Sequence, residues 1–154
     1  MENSTIRQFK LNEIDKIMEI WYESNINTHY FVEKRHWEDI FDRVKKRLIN
    51  SKNVYVYVEN DTIKGFICID EGGYIPELYV DSKYRSLGIG KKLLDFAKKN
   101  NKEVFLHVFE KNKRAIDFYI RESFMIVSKE KEEETNEKGF FMKWNKILDN
   151  KWNM

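Results

Sequence analysis

The sequence predicts an α/β or α+β fold built on a mixed sheet. Helical and strand patterns interleave along the chain, which is typical of that class. Apolar residues make up 42% of the 154 residues and charged residues 35%, enough for a hydrophobic core beneath a charged surface. At this length two independent cores would each be short of buried surface, so we expect residues 1–154 to form a single domain.

Two amphipathic helices are predicted after a short strand candidate over residues 5–9. Asn12 is the expected N-cap of the first helix. Its core face comprises residues spaced at i, i+3, i+4 and i+7, namely Ile14, Ile17, Met18 and Trp21. The second helix carries a similar stripe, which comprises Trp37, Ile40, Phe41, Val44 and Leu48. We expect the basic residues 45–47 of this helix to face water.

A β-meander is predicted next, because the apolar period changes from 3.6 to two residues at Val54. Asn60 and Asp61 form the expected turn into a second strand. Gly72 and Gly73 mark another turn, followed by a third strand over residues 74–80. A loop then leads into a helix whose apolar positions begin at Leu93.

Strands and one more helix complete the expected order. Strands are predicted over residues 103–108, 124–129 and 140–144, and a helix over residues 112–122. The acidic segment 129–137 lies between the last two strands, where we expect a solvated loop.

Charge, hydropathy and cysteine content exclude several classes of function. The chain has 28 Lys and Arg against 26 Asp and Glu, a balance that argues against a general nucleic-acid binder. No run of 18 apolar residues occurs, so we expect no membrane segment. Cys68 is the only cysteine, in an apolar run, where an inert core thiol is expected. A chain without a disulfide suggests a reducing, cytoplasmic location.

The most informative stretch is residues 85–91, where a loop with two glycines runs into a helix. A helix start offers unpaired backbone N–H groups and the positive end of a dipole, so phosphate is the expected ligand. The nucleotide-triphosphate loop is excluded because Arg85 stands where its first glycine belongs. The dinucleotide fingerprint is disfavoured because Leu93 replaces its third glycine.

Two motifs together resemble the GNAT superfamily of acetyl-coenzyme A dependent N-acetyltransferases. The first is Arg/Gln-x-x-Gly-x-Gly/Ala, which residues 85–90 match. The second is Asn-x-x-Ala-x-x-Phe-Tyr-x-x-x-Gly-Phe, which residues 112–124 match except that Ser123 replaces the glycine. The resemblance implies a mixed, mostly antiparallel twisted sheet flanked by helices on both faces.

The resemblance also implies where the acetyl-coenzyme A cosubstrate binds. Backbone groups of Leu78, Tyr79 and Val80 would hold the pantetheine arm. The pyrophosphate would lie on the helix start formed by Arg85, Ser86, Leu87, Gly88, Ile89, Gly90 and Lys91. Asn112 would contact the far side of the cofactor. No metal site is expected.

For the reaction, the resemblance implies direct attack of a substrate amine on the thioester. Glu77 and His107 are alternative acceptors of the amine's proton, and each has a purely structural alternative. Tyr119 matches the residue that protonates the leaving thiolate in this family.

The acceptor side is expected to involve aromatic residues of the first two helices and their connection, namely Trp21, Tyr22, His29 and Phe31. His29 is expected either to fix the loop or to contact substrate. The acceptor is a small-molecule amine or a protein amine, between which the residues do not distinguish. Alternatives to an enzyme are a non-catalytic coenzyme A sensor and a phosphate- or nucleotide-binding protein. Exposed strand edges leave room for a homodimer.

Overall fold

The computed structural model describes residues 3–152. Seven strands are assigned, namely β1 (Ser4–Gln8), β2 (Val54–Glu59), β3 (Thr62–Cys68), β4 (Glu77–Val80), β5 (Glu103–Phe109), β6 (Met125–Lys131) and β7 (Lys138–Asn145). The helices are α1 (Ile14–Thr28), α2 (Lys34–Asn50), α3 (Ile89–Lys99), α4 (Lys113–Arg121) and α5 (Lys146–Trp152). Within these residues no helix is long and apolar enough to cross a membrane.

The strands form two antiparallel sheets that meet at one point. The first sheet has the order β1-β2-β3-β4 and the second the order β5-β7-β6. A single parallel bridge between Tyr74 and Phe105 joins them just before β4. Beyond this bridge β4 and β5 are the facing edges of separate sheets. The predicted mixed, mostly antiparallel arrangement is confirmed, and its division leaves a gap between β4 and β5.

Helices cover both faces of the first sheet, as β3 shows. Side chains of successive strand residues point to opposite faces. Phe66 and Cys68 join a buried cluster with α1 and α2, whereas Ile67 joins a second cluster with α3. The four apolar residues predicted for the core face of α1 are all buried. The β2–β3 turn at Asn60 and Asp61 has positive φ at both positions, as a two-residue hairpin turn requires.

Four sequence-based boundaries need correction. Asn12 does not cap α1, because a short 3₁₀ turn over Leu11–Glu13 precedes that helix and Glu13 accepts the Lys10 N–H at 2.8 Å. The third strand is shorter than predicted, because Tyr74 and Ile75 pair with Phe105 of β5 instead. The loop predicted over the acidic segment 129–137 is shorter than expected, because β6 extends to Lys131 and residues 132–137 form the connection to β7. Helix α5 was not predicted.

Ser123 stands at the end of α4, where the motif usually has a glycine. Ser123 adopts φ 73°, the left-handed conformation that glycine tolerates best. The Phe124 N–H then donates to the Tyr119 carbonyl at 2.9 Å. The helix therefore ends with the left-handed geometry despite the substitution, and Ser123 is held in a conformation unfavourable for a residue with a Cβ.

Candidate active site

A cleft of about 1080 Å³ opens where β4 and β5 part. Its walls are β4 and the start of α3 on one side, β5 and α4 on the other, and α1 and α2 across one end. This volume is at the upper end of pockets that hold small molecules. The split between the two sheets therefore produces a large cleft at the place where the sequence motifs converge.

One end of the cleft is built to hold an anion. Gly88, at φ 84°, places the chain for the start of α3. The first helical hydrogen bond runs from Lys92 N–H to the Gly88 carbonyl at 3.1 Å, so the preceding N–H groups lie ahead of the helical ladder. Arg85, Lys91 and Arg114 add positive charge to this lining. Such a helix start with nearby cations suits a phosphate group.

Two hydrogen bonds position the loop at this end. Arg85 Nη2 donates to Thr28 Oγ1, in the last turn of α1, at 3.1 Å. Arg114 Nη2, in α4, donates to Ser86 Oγ at 3.1 Å. The loop is thus tied to one helix from each side of the cleft.

A buried polar network links α1, β4 and α4. The His29 Nδ1–H donates to Asn25 Oδ1 at 2.9 Å, and His29 Nε2 accepts from Asn112 Nδ2 at 3.3 Å. Asn25 Nδ2 lies 3.2 Å from the Tyr79 hydroxyl. Asn112 in turn caps α4, because its Oδ1 accepts the Ala115 N–H at 3.2 Å. Burial lowers the pKa of His29 to about 4, so this imidazole is neutral at physiological pH.

Glu77 is a buried carboxylate at the start of β4, only 5% exposed. Burial raises its pKa to about 7, and the Arg47 guanidinium, which forms an ion pair with it, partly offsets that increase. Arg47 reaches the carboxylate from α2, although the sequence predicts that residues 45–47 of this helix face water. Glu77 can therefore exchange a proton near neutral pH.

Tyr119 lines the same cleft from α4. Its ring packs against Phe118 and Phe124, with centroids 5.2 and 5.6 Å away. Burial raises the pKa of Tyr119 above the ordinary value of a phenol, so the hydroxyl stays protonated at neutral pH.

His107 lies at the outer edge of the cleft. Its Nδ1 is 2.8 Å from the Tyr74 hydroxyl, and its Nε2 is 3.3 Å from Glu130 Oε1. Both nitrogens are therefore engaged, in a half-exposed position, whereas Glu77 is enclosed. Glu77 is therefore the more enclosed of the two predicted proton acceptors.

The structure brings most of the predicted site residues together, with three exceptions. Leu78, Tyr79, Val80 and His29 line the cleft, and so does Trp21, which is 2% exposed and forms part of the core. Tyr22, Phe31 and Leu87 are not among the lining residues. The Tyr22 hydroxyl donates to Glu38 at 3.1 Å, Phe31 packs on Phe109 at 5.3 Å, and Leu87 faces solvent.

Several residues that line the cleft were not predicted from the sequence as site residues. Arg43 and Arg47 of α2, one turn apart, line it, as do Asn25 and Tyr74. Trp37 lines it as well, and its buried indole N–H has no hydrogen-bond partner among the described residues. In the sequence, the i, i+4 spacing of the two arginines indicates that they lie on the same face of α2. Within residues 3–152 no cluster of His, Cys, Asp and Glu suits a metal ion.

Comparison with known proteins gives consistent matches across most of the chain. A family model for the acetyltransferase (GNAT) domain matches residues 22–144. Peptidyl-lysine N-acetyltransferase YiaC of Escherichia coli is 30% identical over 139 residues, which cover 90% of this chain and 95% of that protein. Peptidyl-lysine N-acetyltransferase YjaB of the same organism is 26% identical over 125 residues, covering 81% and 84%. The solution structure of apo YjaB superimposes with a TM-score of 0.82 at 22% identity and covers 92% of this chain and 97% of that one.

Proposed function

Because the chain belongs to the GNAT family of acetyltransferases, which transfer an acetyl group to an amine, we propose that its donor is acetyl-coenzyme A and its acceptor a lysine side chain in a peptide or protein. The observation that carries this proposal is one cleft that combines an anion-binding helix start with a buried carboxylate and a partly buried tyrosine. The two ends suit the two reactants, one polyanionic and one cationic.

The residues at the anion end fit coenzyme A. Gly88 has open space around its Cβ position, and a Cβ on Gly90 would meet its nearest atoms only at 3.6 Å, so a pyrophosphate can approach the backbone. Arg85, Lys91 and Arg114 would neutralise its charge. The free edge of β4 offers backbone groups of Leu78 and Val80 to an amide-containing arm, whereas those of Tyr79 face Phe66 of β3. When bound, acetyl-coenzyme A supplies the thioester carbon that the amine attacks.

Glu77 would prepare the amine for this attack. A lysine amine is protonated at neutral pH, with a pKa of roughly 10.4, and must lose a proton to become a nucleophile. The Glu77 carboxylate would attract the ammonium group and accept that proton, in an enclosed site where its own pKa is about 7. Two protons leave the nitrogen in all: one goes to Glu77 and then to solvent, and the second accompanies formation of the C–N bond.

Tyr119 would supply the proton that the leaving sulfur needs. As the C–S bond breaks, the hydroxyl donates to the thiolate, and the tyrosinate regains the second proton from the nitrogen. The burial that raises the pKa of Tyr119 would also penalise an unneutralised thiolate beside it, which favours a coupled transfer. The network of Asn25, His29 and Asn112 would hold the two walls of the cleft at a fixed spacing.

A lysine in a polypeptide is favoured over a small amine by two observations. Both curated relatives described above are named as peptidyl-lysine N-acetyltransferases. In addition, acidic residues of the β6–β7 hairpin, Glu130, Glu132 and Glu134, border the acceptor end. Glu130 and Glu134 already contact His107 and Arg43, so Glu132 is the carboxylate of the three that suits a basic peptide.

The decisive experiment measures acetylation of a synthetic peptide by mass spectrometry. The peptide carries one lysine and an acetylated N-terminus, so that only the side-chain amine can react. We expect a mass increase of one acetyl group with the wild-type protein and a large loss of rate with Glu77→Gln. Thermal shifts with acetyl-coenzyme A, coenzyme A, NAD and ATP test the donor, since a ligand at about 100 times its Kd stabilises by about 2.7 kcal/mol.

A stabilising shift with acetyl-coenzyme A but no acetylation of lysine peptides, together with turnover of a free polyamine or amino acid, would contradict the proposed acceptor. A shift with ATP or NAD and none with either coenzyme A form would contradict the proposed donor.

A further inference from the structure

Two arginines of helix α2, Arg43 and Arg47, lie at the acceptor end of the cleft. Arg43 Nη2 donates to both carboxylate oxygens of Glu134, at 3.0 and 2.9 Å, and so links α2 to the β6–β7 hairpin. Arg47, one turn later, forms an ion pair with Glu77. The second pair lies deeper, because its carboxylate is on β4.

The two partners of the deeper pair differ strongly in exposure. The Glu77 side chain is 6% exposed, whereas the Arg47 side chain is 47% exposed. The carboxylate is thus fixed in the cleft wall, while the guanidinium is on a long side chain that reaches in from solvent. A buried carboxylate without a cation costs several kcal/mol, so Glu77 needs a positive partner whenever it is ionised.

The acceptor's ammonium group would need the same position. Glu77 immediately precedes the strand edge, at Leu78 and Val80, that is proposed to hold the arm that ends in the acetyl group. An amine that is to attack there must approach the face of Glu77 that Arg47 covers. The ammonium group and the Arg47 guanidinium would therefore compete for the same carboxylate oxygens, because two like charges at that distance repel each other.

We propose that Arg47 occupies the subsite of the acceptor's ammonium group in the free protein, and that the incoming lysine displaces it from Glu77. The inference rests on the proposed function, since it requires Glu77 to face the acceptor amine. Binding is then an exchange of one cation for another, in which Glu77 never becomes an unpaired buried charge. Arg47 raises the KM for the acceptor and selects acceptors that are themselves cationic.

Other charged and titratable groups face this pair from the neighbouring elements. Cys68 at the end of β3, Tyr74 before β4 and Tyr79 on β4 are each within electrostatic range of Glu77. Asp70, just beyond β3, is within that range of Cys68 and Tyr74. Arg47 is the cation among them. Replacing Arg47 therefore tests the exchange, because none of the other groups named here is an arginine or lysine that could pair with Glu77.

The test compares Arg47→Met with the wild type, using the lysine peptide over about pH 8 to 9.5, because the loss of Arg47 raises the pKa of Glu77 further above about 7. Methionine keeps an unbranched apolar stem and removes the charge. We expect the KM for the peptide to fall about tenfold, the factor of one charge-assisted hydrogen bond, with kcat changed less than about threefold. Guanidinium ions should raise the KM of the variant towards the wild-type value.

Arg35→Met is the matched control, because Arg35 is on the same helix, loses the same charge, and is 84% exposed outside the cleft lining. It should leave KM and kcat unchanged. A higher KM or a lower kcat in Arg47→Met would show that Arg47 orients Glu77 instead, and unchanged constants would show that it does not compete. Either result overturns the proposal.

A binding measurement separates this proposal from the proposed function. Carbon-13 NMR of the Glu77 carboxyl carbon follows n-butylammonium, which mimics a lysine side chain, without any acetyl transfer. Tighter binding to Arg47→Met than to the wild type supports the exchange even if no lysine peptide is acetylated. Equal binding refutes the exchange even if peptides are acetylated.

Discussion

The pH dependence of acetyl transfer should report the ionisation of Glu77. Because burial raises the pKa of this carboxyl to about 7, and the carboxylate is the proposed base, kcat/KM should fall as the pH drops through 7. With that pKa, about half of Glu77 is ionised at pH 7 and about a tenth at pH 6, so kcat/KM should be near one half and one tenth of its plateau. A glutamate with an ordinary pKa of about 4.3 would cause no loss of kcat/KM until well below pH 6.

The assay follows thiol release with acetyl-coenzyme A at subsaturating lysine peptide, from about pH 6 to pH 9. Glu77→Gln should lower kcat/KM by about 10² to 10⁴ and abolish the decline near pH 7. His107→Gln is the companion variant, since His107 is the other titratable group predicted to take the proton. A wild-type profile that stays flat to pH 6, or a decline that vanishes in His107→Gln and persists in Glu77→Gln, would refute the assignment.

Three further predictions follow from the same structure. Tyr119→Phe should lower kcat at least about tenfold while leaving the affinity for acetyl-coenzyme A nearly unchanged, as measured by steady-state kinetics and calorimetry; an unaltered kcat would remove Tyr119 from the mechanism. Neutral, buried His29 should stabilise the fold above pH 6.5, and that stability should be lost as the pH falls from 6.5 to about 4, by about 3 kcal/mol in total. Urea unfolding of the wild type and His29→Gln across this range should therefore converge at low pH, and parallel curves would contradict the prediction. Ser123→Gly should stabilise the protein by about 1 kcal/mol, read as an increase of about 2–4 °C in Tm, because it relieves the left-handed strain at φ 73°; a lower Tm would show that the serine side chain compensates.

Local patterns in the sequence were sufficient for most of the fold. Periodicity identified both amphipathic helices, and the pair Asn60 and Asp61 identified the hairpin turn, because such signals depend on neighbours in the chain. The split of the sheet was not predictable in this way. Residues 74–80 read as one strand, yet Tyr74 pairs with β5 and Glu77 with Cys68 of β3, a choice made by distant partners.

The polar network at the end of α1 shows the same limit within the site. His29 and Asn112 were singled out separately, one for the acceptor and one for the cofactor. They are 83 positions apart in sequence and hydrogen-bonded in the structure. Helix periodicity says that Asn25 and His29 share a face, but it does not say which side chains from β4 and α4 meet them. Their joint role in spacing the cleft walls therefore needed the tertiary structure.

Arg47 was not predicted as a site residue, because it lies at the margin of the buried face of α2. Val44 and Leu48 are in the core, and Arg47 is one residue before Leu48, about 100° around the helix. A binary pattern assigns such a residue to solvent. The chemistry of Glu77 gives the missing constraint: a carboxylate enclosed in a cleft wall requires a cation, and that cation must come from an element packed nearby. Once Glu77 is placed at a buried position of β4, a basic residue flanking the core stripe of a neighbouring helix is the expected partner.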